Sequence, residues 1–298
     1  MEPKSEETTW ESHRVKEFPS NRINLNTATM GLPSQKVQNA LIHDKDEVLG
    51  YPLGQYNLAK NDLKQLRKEA ESLWQTTDYT ICFTFSATQT SNMLSHVLAE
   101  TNYLRHKQII SVLTTPFEHS GGIGPFENHS RYKVSYLTTP KATGLNTESY
   151  KFDLDKFRHQ IQTSQPDIIF VSNVTYADGI IIPVEDVYSI LKQECPNCVF
   201  IVDAAQSIGM LPIPFGYFDI LITSLHKWFF GPHGTGIMWI KDEQLDTLPL
   251  FFPGGDNLDT THPGSRFELC GGQNFHVYRG IKASIDLHRE VGLDTIQN

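Results

Sequence analysis

Apolar residues fall along this chain in short runs, and longer stretches with apolar positions every three or four residues separate them. The short runs are YTICF (79–83), QIISVL (108–113), YKVSYL (132–137), DIIFVS (167–172), VFIVD (199–203), DILITS (219–224) and TGIMWI (235–240). Their length and bounding turn residues predict strands, several of them apolar enough to be buried on both faces. TQTSNMLSHVLAE and VEDVYSILKQE read as helices between them. Upstream, NDLKQLRKEAESLW places Leu63, Leu66, Ala70 and Leu73 on one helical face, a core-packing pattern. Strands alternating with helices predict an α/β fold: a mostly parallel sheet with helices on both faces. The segment 138–153 reads as an exposed loop. GQYNLAKND (54–62) and PGGDN (253–257) read as glycine-bearing loops able to reach a site.

Composition narrows the function classes. With 25 basic and 34 acidic residues the formal net charge is -9, which speaks against a nucleic-acid binder that works by neutralising phosphates. No apolar run approaches the length of a membrane span. The start, MEPKSEETTWESH, has no apolar stretch behind it, so residues 1–20 are expected to form a flexible arm, not a signal, and the cytoplasm is the expected compartment. The cysteines Cys82, Cys195, Cys198 and Cys270 are too scattered for a disulfide framework. CPNC (195–198) has redox or zinc spacing, but one such pair without a second pair or nearby histidines points to neither. No metal site is expected.

Candidate chemistry gathers at strand ends, where ligands sit in parallel α/β sheets. Lys227 is the only charged residue, histidines aside, between Asp219 and Lys241, and lysine is almost never fully buried without a partner or a task. VFIV ends in Asp203, with Gln206 three positions on; QIISVL leads to His119; DILIT leads to Ser224, His226 and Lys227. YTICF leads to TFSATQT, small hydroxylic residues opening a helix whose free N–H groups suit a phosphate, although Ser and Thr there also serve as ordinary caps. A lysine amine, a buried acid, a flat imidazole and an anion cradle at one sheet edge are what pyridoxal phosphate needs: an amine for its aldehyde, a carboxylate for its ring nitrogen, a stacking partner and a phosphate site.

VDAAQSIG followed by FDILITSLHKWFFGPHGTGIMWI resembles the cofactor region of the class V aminotransferase family, fold-type I pyridoxal-phosphate enzymes that include cysteine desulfurases and isopenicillin N epimerase-like enzymes. The likeness runs from INLNTATMGLPS (23–34) to the end. It is most specific at D-x-x-Q (203–206) and S-x-H-K-W-x-x-G-P-x-G-x-G (224–236). It implies a three-layer sandwich with a mostly parallel mixed sheet, divided into an arm (1–20), a cofactor-binding large domain (21–274) and a helix (275–298) leading to a small C-terminal domain that is largely absent.

The resemblance also implies roles. Lys227 is the Schiff-base lysine and moves the substrate's α-proton. Asp203 pairs with the pyridine nitrogen, Gln206 reaches the ring's phenolic oxygen, and His119 stacks on the ring. Ala87, Thr88, Ser224 and His226 take the phosphate. The family usually works as homodimers on small amino acids or amines. Three features depart from its pattern. In RFELCGGQN (266–274) the position of a phosphate-holding threonine is Gly272. Tyr176, in NVTYADG, stands where desulfurases tend to carry an asparagine, and is expected to line the cofactor and substrate pocket. The chain ends soon after YRGIKASIDLHREVG, where relatives continue into the domain that supplies a carboxylate-binding arginine and the desulfurase nucleophile.

Cys270, Arg266 and Arg279 match neither of those groups. HKW and the ungapped FE-x-x-G spacing point to the isopenicillin N epimerase-like branch, with epimerase, lyase or aminotransferase chemistry. A persulfide-forming desulfurase is the less favoured reading. The alternative class is a cofactor-binding pseudoenzyme, or one chain of a split enzyme whose partner supplies the missing domain. LPLFFPGG (248–255) is then a candidate apolar face for that partner.

Overall fold

The computed structural model describes residues 10–19, 24–42, 52–101, 103–137, 152–251, 261–268 and 274–297. All seven apolar runs become strands: β1 (Tyr79–Thr84), β2 (Ile110–Thr114), β3 (Tyr132–Tyr136), β4 (Ile168–Ser172), β5 (Val199–Asp203), β6 (Ile220–Ser224) and β7 (Gly236–Lys241). They form one sheet in the order β1-β7-β6-β5-β4-β2-β3. β6, β5, β4, β2 and β3 run parallel, while β7 is antiparallel to both β1 and β6. The sheet is therefore mixed and mostly parallel, and the carboxyl ends of β1, β6, β5, β4 and β2 share one edge.

The helices, in chain order, are α1 (Trp10–Glu17), α2 (Gln35–Ile42), α3 (Pro52–Trp74), α4 (Ala87–Ala99), α5 (Ser120–Glu127), α6 (Leu154–Ser164), α7 (Val184–Glu194), α8 (Asp242–Leu245), α9 (His276–Val291) and α10 (Leu293–Gln297). β4, β5 and β6 are buried along their whole length, and their residues alternate between two cores. Phe200, Val202 and Leu221 face a cluster with residues of α3, α6, α7 and α9. Ile201, Ile220 and Ile222 face a second cluster with residues of α4 and α5. Period-two alternation feeding two apolar layers gives the expected three-layer sandwich. Each fully buried large side chain contributes roughly 1.5–3 kcal/mol, so a strand buried on both faces is held far more firmly than the loops at its ends.

Two expectations are corrected. GQYNLAKND is not a loop but lies inside α3. Pro52 starts that helix, where its missing N–H costs nothing. Buried Ala59, Leu63, Leu66 and Ala70 extend the apolar stripe upstream, which outweighs the roughly 1 kcal/mol penalty of Gly54. Residues 10–18, expected as part of a flexible arm, are anchored: the buried Glu17 carboxylate accepts the backbone N–H of Lys36 at 3.0 Å, and Phe18 packs edge-on against Phe230 at 5.1 Å. In LPLFFPGG, Leu248 is buried and Leu250 exposed, with residues 252–255 outside the described residues. Gly272, Cys270, PGGDN and 138–151 also lie outside them. No helix among the described residues is long and apolar enough to cross a membrane.

Candidate active site

Strand ends from across the sheet converge on a cavity of about 330 Å³ lined by Ala87, Thr88, His119, Tyr176, Asp203, Gln206, Ser224, His226 and Lys227, with Thr29, Ser86, Gly122, Ser172, Val174 and Ala205 between them. Every described residue proposed from sequence as a site residue thus lies on one wall or another of the same space.

The anion cradle is built by α4. Ser86 is its N-cap, and the hydroxyl accepts the Gln89 N–H at 3.1 Å. The Ala87 N–H is taken by the Ser224 hydroxyl at 2.9 Å, which ties the helix start to the end of β6. That leaves the Thr88 N–H, alone of the first three in the helix, without a hydrogen bond among the described residues. The helix dipole adds its positive end there. His226 sits on the same side. Its Nδ1 is buried and unpartnered, and loss of solvent, followed by the charge of Lys227, holds its pKa below the usual histidine range. A buried donor or acceptor left unpaired costs about 1–3 kcal/mol, so His226 is a group waiting for a partner.

Against it packs the start of α5, where a Cβ on Gly121 would come 2.4 Å from Thr88 Oγ1; His119 is the N-cap and its Nδ1 accepts the Gly121 N–H at 3.0 Å. The His119 ring meets Tyr176 edge-on at 5.0 Å, and Tyr176 remains 48% exposed, so it forms the mouth of the cavity. One residue before His119, the buried Glu118 carboxylate accepts hydrogen bonds from Thr115 and Ser172 hydroxyls, each at 2.5 Å. Burial pushes its pKa up to about 7, and the nearby Asp203 charge acts in the same direction.

Asp203 ends β5 with Oδ1 accepting the Ala205 N–H at 2.8 Å. Burial raises its pKa, against the lowering pull of that N–H, Lys227 and His119. Lys227 is half-buried. Desolvation lowers its pKa, and Asp203 works against that shift. A lowered pKa makes the neutral, nucleophilic amine easier to reach, and the half-buried Lys227 faces the cavity with Asp203. The turn that carries it is held from below. Phe230 adopts a positive φ of 53°, the Phe229 carbonyl accepts the Ser284 hydroxyl, and His288 stacks on Phe229 at 4.1 Å.

Sequence reading missed four residues here. Glu118 looked like a spacer before His119. Trp228 donates its indole N–H to Gln206 Oε1 at 2.6 Å, while Gln206 Nε2 donates to the Ala28 carbonyl at 3.1 Å. This fixes the amide so that only its second N–H remains for a ligand. Asn173, beside Ser172 and Val174, is buried with its Oδ1 unpartnered among the described residues; the strand-end triplet SNV was the available signal. Gly31 lies directly on the lysine turn: its N–H donates to the His226 carbonyl at 2.8 Å, and a Cβ would come 2.1 Å from the Lys227 carbonyl oxygen. Arg279 pairs with Asp62 at 2.7 Å and Arg266 reaches the Leu245 and Leu248 carbonyls at 3.4 Å, so neither lines the cavity.

The family model described as aminotransferase class-V matches residues 35–298. A probable cysteine desulfurase of Pyrococcus abyssi is 28% identical over 200 residues, covering 62% of this chain and 47% of that protein. The cysteine desulfurase IscS of Mannheimia succiniciproducens is 32% identical over 181 residues, covering 59% and 41%. The chain spans about half the length of the curated relatives it matches. Among solved structures, the apo cysteine desulfurase of Thermococcus onnurineus superposes with a TM-score of 0.78 at 24% identity, over 96% of this chain and 72% of that one. A cystine C-S lyase in complex with cysteine persulfide gives 0.77 at 20% identity, over 93% and 74%. At these identities the superpositions carry the fold.

Proposed function

The chain belongs to the aminotransferase class-V family of pyridoxal-phosphate-dependent enzymes, and we propose that it acts on a small amino acid by moving the α-proton with Lys227. The observation that carries this reading is the position of Lys227. Its ammonium form is disfavoured by burial, and it shares one cavity with a buried carboxylate and a helix N-terminus.

The residues present fit the cofactor. The unpartnered Nδ1 of His226 and the Thr88 N–H are groups a phosphate would satisfy. Gly122 keeps the cavity wall clear beside Asp203: a Cβ there would lie 2.9 Å from Phe170 Cζ and 3.2 Å from Asp203 Oδ2. When bound, pyridoxal phosphate supplies an electron sink for whichever Cα bond is broken. Lys227 would be the amine that holds its aldehyde and, once released, the base for the α-proton. Asp203 would keep the ring nitrogen protonated. His119 would lie against the ring, and Gln206 would give its remaining N–H to the ring oxygen. Thr88, Ser224 and His226 would bind the phosphate, while Ala87, expected as a further donor, gives its N–H to Ser224 and would only hold that hydroxyl in place, and Tyr176 would wall the substrate side.

Removal of the α-proton is the step shared by the epimerase-like branch suggested by His226-Lys227-Trp228 and by lyases such as the desulfurase relatives. Within that choice the curated relatives favour a lyase acting on a sulfur-containing amino acid, while the epimerase-like branch rests on the sequence alone. A persulfide on a described cysteine has no support, because Cys82, Cys195 and Cys198 are buried and none lines the cavity. Leu25, Met30 and Leu32 are exposed beside cavity-lining Thr29, which suits a homodimer whose second copy covers this edge. A reducing compartment such as the cytoplasm suits unpaired cysteines.

The deciding experiment loads the full chain with pyridoxal phosphate and incubates it with single amino acids in deuterated water, following the α-proton by NMR. The accepted amino acid should lose its α-proton signal, and Lys227→Ala should exchange it far more slowly. Inversion, elimination or keto-acid formation in the same tubes would assign the reaction. A cofactor-loaded chain that exchanges no amino acid would sink the enzyme reading and leave a cofactor-binding pseudoenzyme.

A further inference from the structure

The amino edge of the sheet, opposite the cavity, holds a second reactive pair. α7 ends at Glu194, and Cys195-Pro196-Asn197-Cys198 turns the chain into β5. The Cys198 N–H donates to the Cys195 carbonyl at 3.0 Å, closing a β-turn with Pro196 at its second position. Such a turn keeps its end Cα atoms within about 7 Å, and disulfides bridge Cα atoms about 4.4–6.8 Å apart.

The side chains meet as well. The Cys198 Sγ donates to the Val199 carbonyl at 3.8 Å, and its closeness to the Cys195 sulfur is the largest influence on Cys195, whose pKa is brought down to about 7, while burial holds the Cys198 thiol up. Cys195 Sγ also lies 3.4 Å from the Pro166 carbonyl. Both thiols are free. Among the described residues no group of three His, Cys, Asp or Glu could hold a metal ion, so the further ligands of a structural zinc are not supplied. Two adjoining thiols without a metal set form a two-electron couple.

We propose that Cys195 and Cys198 are a reversible oxidation site that closes to an intramolecular disulfide when a hydroperoxide reaches it. The Cys195 thiolate attacks the peroxide oxygen. The O–O bond breaks, one oxygen stays on sulfur as a sulfenic acid, and the other leaves protonated as water or alcohol. The Cys198 sulfur then attacks the sulfenic sulfur, the S–S bond forms, and the hydroxyl leaves with the Cys198 proton as water. Two thiols are oxidised and the peroxide is reduced. The bond would tie the end of α7 to the start of β5, whose other end carries Asp203. Cys195 keeps 8% of its surface exposed and is the opening to the pair, whereas Cys82, equally free, is 0% exposed with no thiol beside it among the described residues, and serves as an internal control.

The test treats the reduced full-length chain with a small excess of hydrogen peroxide, unfolds it, alkylates it and maps the peptides by mass. The peptide carrying both Cys195 and Cys198 should be lighter by two hydrogen atoms, refuse the alkylating agent, and accept it again after dithiothreitol. Cys82 should be alkylated throughout. In Cys198→Ser, the sulfenic acid at Cys195 should persist and be trapped by dimedone. Full alkylation of both thiols after peroxide overturns the proposal. So does recovery of Cys195 joined to Cys270, or carried to the higher oxides in the unsubstituted chain.

Discussion

Two buried aspartates mark the two ends of the central sheet, and only one of them, Asp203, lines the cavity. Asp219 stands just before β6 at the amino edge, and Asp203 ends β5 at the carboxyl edge. Burial raises the pKa of both, and a lysine pulls each back down. Asp219 spends both oxygens within the protein: Oδ2 accepts the Phe200 N–H at 2.8 Å, and Oδ1 meets Lys192 at 3.4 Å. Asp203 satisfies Oδ1 through Ala205, and no donor among the described residues reaches Oδ2. The lysines differ likewise, since Lys192 lies over the Tyr188 ring and pairs with Asp219, whereas the Lys227 side-chain amine makes no hydrogen bond among the described residues. A shifted pKa is therefore common to both ends. What distinguishes the site is unused hydrogen-bonding capacity facing a cavity.

That comparison can be broken most directly at the lysines. Lys227→Ala should lower α-proton exchange by roughly 10²–10⁴-fold, the usual worth of a positioned general base, with little change in the urea midpoint. Lys192→Met should leave exchange intact. Equal losses in the two variants would mean that the cavity does not define the site.

The aspartates come next. Asp203→Asn relieves a desolvated charge, so the fold should tolerate it while exchange falls by at least tenfold through loss of the ring-nitrogen partner. Asp219→Asn keeps one acceptor oxygen where the aspartate has two, so either the buried Phe200 N–H or Lys192 loses its partner and meets a donor instead, which should cost about 1–3 kcal/mol of stability with the cofactor's visible band unchanged. A smaller effect is expected at the loop over the lysine turn. Gly31→Ala forces a methyl against the Lys227 carbonyl, and overpacking of this kind costs about 1–3 kcal/mol. Cofactor titration should show weakened retention there, and unchanged retention would remove the loop from the site.

How much of this was legible in the sequence follows from the range of the forces involved. All seven strands were visible because each is a compact apolar run, and α7 matched its amphipathic pattern residue for residue. α5 was not foreseen, because SGGIGPFE is built of poor helix formers and stands only by packing Ile123 and Phe126 into the second core. The cavity-lining residues were legible as strand-end residues of the right types. Their supports were not: Trp228 on Gln206, Gly31 on Lys227 and Ser284 under Phe229 are contacts between distant segments that leave no local pattern.

Glu118 gives the finest cut, through pH. Its folded pKa of about 7 lies above the ordinary 4.5, so the folded protein holds this proton more tightly than the unfolded chain does. The group's contribution is full below about pH 4.5 and is lost as pH rises through about 7. At about 1.4 kcal/mol per unit the loss is at most about 3.5 kcal/mol. Buried His288 works the other way. Its pKa is held down to about 4 from 6.5, so its contribution is present above pH 6.5 and lost as pH falls. A stability curve of the natural chain mixes the two, but the difference between Glu118→Gln and the natural chain cancels His288. Urea unfolding from pH 5 to 8 should show the glutamine variant gaining on the natural chain as pH rises. A difference independent of pH would mean that Glu118 is ionised throughout, and that the hydroxyls of Thr115 and Ser172 stabilise a permanent negative charge next to Asp203.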